Sequence, residues 1–213
     1  MYVLGLTGSI GMGKSTAAEM FRRLNVPVHD ADATVHKLMN KNGAAVKDIK
    51  AKFPNVVLNG AVDRKKLGDE VFGNPEKLVQ LEAILHPLVR KKMHQFLSRY
   101  AYQRRKLVVL DIPLLFETKG YRFCDGVLVI SCPEFLQDQR VMSRKGMTES
   151  KYHAILNKQT PDAEKRALAD YVIKSNQGKR YSYLKVKQLV EVLSTGGINC
   201  RNFSPHLSLA CKK

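Results

Sequence analysis

Gly8-Ser9-Ile10-Gly11-Met12-Gly13-Lys14-Ser15 fits the pattern G-x-x-x-x-G-K-[ST] at every position, and its flanks give the pattern a mechanism. Residues 2–6 before it form a short apolar run of strand length. After it, Ala17, Met20, Phe21 and Leu24 recur at helical spacing. A glycine loop between a strand and a helix lets backbone N–H groups converge on an anion, and the helix N-terminus adds positive potential. The sequence therefore predicts a nucleoside triphosphate site built from Gly8, Ser9, Ile10, Gly11, Met12, Gly13, Lys14, Ser15 and Thr16. In such a loop the lysine bridges the outer phosphates and the Ser15 hydroxyl is positioned to ligate Mg²⁺ accompanying ATP. The bland alternative is a glycine-rich turn with an incidental Lys-Ser pair.

Working outward, strand-like runs recur at residues 26–29, 107–111, 126–131 and 171–173, each next to a helical pattern. Alternation of this kind predicts an α/β chain with the fold of P-loop nucleoside triphosphate hydrolases: a five-stranded parallel sheet flanked by helices. The expected organisation is a core of about residues 1–32, 106–132 and 160–194, a helical insertion at about 33–105, a lid at about 133–159 and an irregular tail at 195–213. The insertion carries helical patterns at 45–53, 65–72 and 75–100 and no convincing strand. Pro133, Thr148 and Thr160-Pro161 read as helix starts, and a last helix is expected at 181–193.

Composition narrows the function classes. The 213 residues, 44% apolar and 26% charged, suffice for one cored domain burying roughly 70% of its unfolded surface. Apolar runs such as Leu107-Val108-Val109-Leu110 fall far short of the ~20 residues that span a bilayer. No membrane association is expected. The start of the chain lacks a basic stretch followed by an apolar one, which predicts a cytoplasmic protein. Cys124, Cys132, Cys200 and Cys211 form no CxxC pair and read as reduced thiols. Lys+Arg 36 against Asp+Glu 19 gives a net charge of +17, which suits anionic partners such as phosphorylated metabolites, nucleic acid or an anionic membrane. Arg90, Lys91, Lys92, Arg99, Arg104, Arg105 and Lys106 form a basic run, with Tyr100 and Tyr102 among them. Nucleic-acid binding by that run competes with a solvated helix face.

A P-loop alone leaves GTPase, motor, ATPase and small-molecule kinase open. No N/T-K-x-D tetrad for guanine is present, and residues 107–111 lead into Ile112-Pro113-Leu114-Leu115-Phe116-Glu117 rather than an Asp-Glu pair suited to a hydrolytic water. That favours a kinase. Val28-His29-Asp30-Ala31-Asp32, His86-Pro87-x-Val89-Arg90 and Asp111-Ile112-Pro113-Leu114-Leu115-Phe116-Glu117, together with the loop, resemble the dephospho-coenzyme A kinase family. Gln139-Arg140 with Arg144, then Gln159, Lys165-Arg166, Ala169-Asp170 and Ile173-x-x-Asn176, resemble its lid and base-binding region, so the likeness spans roughly residues 1–193. Ser9 and Met12 stand where that family more often has small residues; in a loop working through its backbone, their side chains are expected to be idle. Residues 195–213 carry no part of the resemblance.

The resemblance implies ATP-dependent phosphorylation of the ribose 3′-hydroxyl of dephospho-coenzyme A, with Mg²⁺ as cofactor and ATP and dephospho-coenzyme A as partners. It implies Lys14, Asp32 and Arg140 as catalytic, Arg144 and Asn176 on the ATP side, and Thr7, Asp32, His86, Arg90, Leu115 and Phe116 on the acceptor side. Chemistry agrees, because alcohol phosphorylation needs a carboxylate at the acceptor and cations around the moving phosphoryl group. Other readings remain for several of these residues. Asp32 could instead N-cap a helix beginning at Ala33. Asp111 could ligate Mg²⁺ with Ser15, or cap the turn at Pro113. Leu114, Leu115 and Phe116 could meet the acceptor or be ordinary core. Arg140 and Arg144 are four residues apart, which on a helix puts both on one face. His86 could be structural, and Glu117 is a weaker acceptor-side candidate. Another metabolite or nucleotide kinase, or a nucleotide-binding protein that associates with nucleic acid, are the alternative functions.

Overall fold

The computed structural model describes residues 1–71 and 73–195. Strand β1 (Tyr2–Thr7) enters the glycine loop and helix α1 (Lys14–Arg23) leaves it. Then follow β2 (Val28–Asp30), α2 (Ala31–Met39), α3 (Val46–Lys52), β3 (Val57–Leu58), β4 (Ala61–Val62), α4 (Arg64–Val71) and α5 (Pro75–Tyr102). Strands β5 (Leu107–Asp111) and β6 (Gly126–Ser131), helices α6 (Glu134–Met142), α7 (Glu149–Leu156) and α8 (Asp162–Leu168), strand β7 (Tyr171–Lys174) and helix α9 (Gly178–Ser194) complete the described chain.

The main sheet is parallel, in the order β2-β5-β1-β6-β7. Its register sets Leu4 against Val109 on one side and Gly126 on the other. β5 and β6 are buried along their whole length, as central strands covered on both faces should be, which is why they read as continuous apolar runs. One face packs Leu4, Leu6, Val109, Leu128 and Ile130 against Phe21 of α1 and Val186, Leu189 and Leu193 of α9. Each such side chain contributes roughly 1.5–3 kcal/mol on burial. Parallel strands gather their carboxyl ends at one edge, so the loops after β1, β5, β6 and β7 converge where open α/β sheets hold ligands.

The chain divides into two compact units: Met1–His29 with the chain from Tyr100 onward, and Asp30–Arg99. The second has its own small core of Leu38, Met39, Ile49, Phe53, Val56, Leu67 and Leu81. Here the structure departs from expectation. β3 and β4 form an antiparallel hairpin where no strand was expected, turning at Asn59 and Gly60, both with positive φ. Helix α5 runs through Pro87 without ending. Elsewhere, α8 begins at Asp162 with Pro161 as its N-cap, one residue later than Thr160-Pro161 suggested. Helix α9 starts three residues early, at Gly178. Thr148 caps α7 as expected, its side chain accepting from the Lys151 N–H. The expectations for residues 196–213, Cys200 and Cys211 included, lie outside the described residues. Cys124 and Cys132 are free thiols. No described helix is long and apolar enough to cross a membrane.

Candidate active site

Two glycines make the loop possible. Gly13 caps α1 at φ +95°, a left-handed conformation that side chains resist. At Gly8 a Cβ would lie 2.7 Å from the Ile130 carbonyl oxygen, so only glycine lets the loop pass over the end of β6. The first turn of α1 contains no acidic residue, and Ser15 and Thr16 are exposed there. First-turn N–H groups lack intrahelical partners, leaving a positive pole open to phosphate.

Lys14 Nζ lies 2.5 Å from Asp111 Oδ1, with 16% of the lysine and 4% of the aspartate side chain exposed. Neighbouring strands β1 and β5 thus bring together the loop lysine and a nearly buried carboxylate. Asp111 is therefore an ion-pair partner. Thr7 secures the turn that follows, its hydroxyl donating to the Pro113 carbonyl at 2.9 Å. Thr7 is fully buried and so offers no surface to an acceptor.

Arg140, in the last turn of α6, reaches back to the loop. Its guanidinium donates to Ser175 Oγ and to the Ser175 carbonyl, both at 2.9 Å, and lies 3.4 Å from the Gly11 carbonyl. Ser175 in turn donates to the Met12 carbonyl at 2.7 Å. Arg144 is different: α6 ends at Met142, so Arg144 is exposed beyond the C-cap and the shared-face argument fails. Asn176, following β7, is exposed and lines a cavity of about 620 Å³ beside Ser9 and Met12, with Lys174, Arg166 and Gln159.

The side chains of Ser9 and Met12 are not idle. Met12 is 2% exposed, and its sulfur accepts from the Cys132 N–H at 3.1 Å. Behind the loop, Lys165 is fully buried, its amine 3.1 Å from Glu117 Oε1 and 3.4 Å from Ser9 Oγ. Glu117 also accepts from the Thr160 N–H at 2.7 Å. Burial alone would raise its carboxyl, but hydrogen bonds from its own and the Thr160 backbone N–H, together with Lys165, hold it below the ordinary value. Ile10 is gripped at both polar groups: Gln159 Oε1 accepts from its N–H at 3.1 Å, and Gln137 Nε2 donates to its carbonyl at 2.7 Å.

The dephospho-CoA kinase family model matches residues 2–180. The chain belongs to the dephospho-CoA kinase family. It is 60% identical over 166 residues to a dephospho-CoA kinase of Paramagnetospirillum magneticum, covering 78% of each chain. Among solved structures it resembles TT1252 from Thermus thermophilus (TM-score 0.79, 35% identity, 90% and 96% of the two chains covered). It also resembles the dephospho-CoA kinase from Campylobacter jejuni (TM-score 0.70, 28% identity, 91% and 98% covered).

For this family member, the remaining candidates divide by unit. In the sheet unit, Leu115 is fully buried against Gly5 and Gly120. It is core here and presents no face to a ligand. Phe116 is half-buried with its ring 6.1 Å from that of Tyr121, and Glu117 faces Lys165 rather than an acceptor. In the helical unit, Asp32 is exposed in the first turn of α2, and His86 and Arg90 are exposed on α5. The cap of α2 is Asp30, whose carboxylate accepts from the Ala33 N–H at 2.8 Å. Asp32 therefore does not have the capping role that competed with catalysis.

Sequence reasoning passed over Ser175, Gln137 and the part Lys165 plays. Ser175 and Gln137 act through long-range hydrogen bonds that leave no periodic trace. Lys165-Arg166 looks like an exposed basic pair, and nothing local reveals that one of the two points inward.

Proposed function

We propose that the protein transfers the γ-phosphoryl group of ATP to the ribose 3′-hydroxyl of dephospho-CoA, releasing CoA and ADP. The observation that carries this is a complete phosphate loop, with Lys14 seated on the carboxylate at the end of β5, in a member of the dephospho-CoA kinase family. The N–H groups from Gly11 to Thr16 would receive the ATP phosphates, and Lys14 would leave Asp111 for the outer ones. Ser15 and Asp111 are oxygen donors of the kind Mg²⁺ takes together with substrate phosphates. They would hold the ion, which when bound supplies neutralisation of phosphate charge. Asp32 would accept the proton of the 3′-hydroxyl, and Arg140 would clamp the moving phosphoryl group. Asn176, and less directly Arg144, belong to the ATP side. His86, Arg90 and Phe116 would meet the acceptor, whereas Thr7 and Leu115 would act only by fixing the turn at Pro113. Residues 133–159 would serve as the lid, and the setting would be the cytoplasm.

An ADP-release assay across dephospho-CoA, nucleoside monophosphates and shikimate tests the reading. Turnover with dephospho-CoA and background rates with the others are expected; turnover confined to a different alcohol would replace it with another kinase.

A further inference from the structure

Beside the residues assigned to phosphoryl transfer, the Ser9–Ile10 part of the loop is held by side chains that the chemistry does not use. Lys165 is wholly buried and bonds Glu117 and Ser9; Glu117 bonds Thr160; Gln159 and Gln137 bond the two polar groups of Ile10. Two separate segments, α6 and residues 159–165, thus converge on Ser9 and Ile10, and the turn carrying Glu117 holds the second of them.

A buried lysine–glutamate pair is a poor device for stability alone, because desolvating two charges offsets most of their attraction. This pair is also asymmetric. Lys165 and the Thr160 N–H both meet Glu117 Oε1, whereas Oε2 is buried without a hydrogen-bond partner among the described residues. Such a layout aims donors at fixed points rather than satisfying every lone pair. What it aims at is the half of the loop next to the glycines whose N–H groups must converge on phosphate. Misplacing such a group by about 1 Å can cost roughly 10²-fold in activity.

We propose that Lys165, Glu117 and Gln159 are positioning residues: a buried strut that fixes the Ser9–Ile10 half of the phosphate loop for ATP and ties it to the chain segment 159–165. This rests on the loop's being the ATP site. Lys165 and Glu117 line no part of the cavity beside Ser9 and Met12, so loss of the strut should appear in ATP affinity rather than in acceptor affinity or maximal rate.

Three variants test it: Gln159→Leu, Lys165→Met, and Lys165→Met combined with Glu117→Gln. For each, melting temperature, calorimetric binding of MgATP and of dephospho-CoA, KM for ATP and kcat are measured beside wild type. Gln159 is half-buried, so Gln159→Leu should fold normally, raise the Kd and KM for ATP about 5- to 10-fold, and leave dephospho-CoA binding and kcat within about twofold. Lys165→Met should lower the melting temperature strongly, since it leaves a buried charge unpaired. The double variant should recover much of that loss while ATP affinity stays weakened about tenfold. Wild-type ATP affinity in the folded double variant, or in Gln159→Leu, would make the cluster merely structural and overturn the inference. A wild-type protein that binds no ATP would instead overturn the reading of the loop, and the inference with it.

Discussion

Two lysines serve the same loop, each paired with a carboxylate, and their difference lies in burial. Lys14 meets Asp111 at 2.5 Å with 16% of its side chain exposed; Lys165 meets Glu117 at 3.1 Å with none exposed. The shorter pair is the exchangeable one. Solvent or an anion can reach Lys14 when Asp111 releases it, so the ammonium is not stranded, although Asp111, with 4% of its side chain exposed, gives up its lysine in the exchange. Lys165 has no such alternative, and breaking its pair leaves a charge in the interior. Distance alone would have ranked the two the wrong way round; burial separates a group that acts from a group that holds.

Lys14→Met puts the exchangeable side to its hardest test. It should reduce kcat by about 10³–10⁵-fold, the scale of losing a cation from a phosphoryl-transfer site, and lower the melting temperature as well, because the nearly buried Asp111 loses its lysine. Near-normal turnover at saturating ATP would mean that Lys14 is not a phosphate cation. Asp32→Asn extends the contrast to the helical unit, where the exposed Asp32 should matter to turnover and not to folding. Because Asp30 supplies the cap of α2, the amide should leave melting temperature and ATP affinity unmoved yet cost roughly 10²–10⁴-fold in rate. A rate within about threefold of wild type removes Asp32 from the mechanism.

The smallest effect is a pH dependence on the permanent side. The Glu117 carboxyl is held below its ordinary 4.5, so its stabilising contribution is fully present above that value and is lost as pH falls through the lower folded value. Urea unfolding of wild type and Glu117→Gln should therefore differ most near neutral pH and converge as pH falls below the ordinary carboxylate range. Equal separation of the two curves at every pH would mean that Glu117 is not ionised in its pair.

Each misreading of the chain has a physical cause. Strands β5 and β6 announced themselves because burial on both faces leaves unbroken apolar runs. The β3–β4 hairpin did not, since two-residue strands are too short to show alternation. Asp30 and Asp32 are equally good capping residues, and which one caps turned on where the first helical turn began. Arg144 looked paired with Arg140 only while α6 was imagined to continue past Met142. Thr7 ends β1 and Leu115 lies just past β5, near where ligands gather, but both side chains are fully buried.

The sequence by itself determined what acts locally: the glycine loop, the strand and helix around it, and the parallel sheet, all set by backbone conformation and residue spacing within a few positions. Only the tertiary structure decided the partnerships. Lys14 and Asp111 are 97 residues apart, Ile10 and Gln159 149, Ser9 and Lys165 156. No local periodicity encodes such pairs. They exist because parallel strands bring distant loops to one edge of the sheet, where a side chain's burial, and hence the energy of its charge, is set by neighbours it meets only on folding.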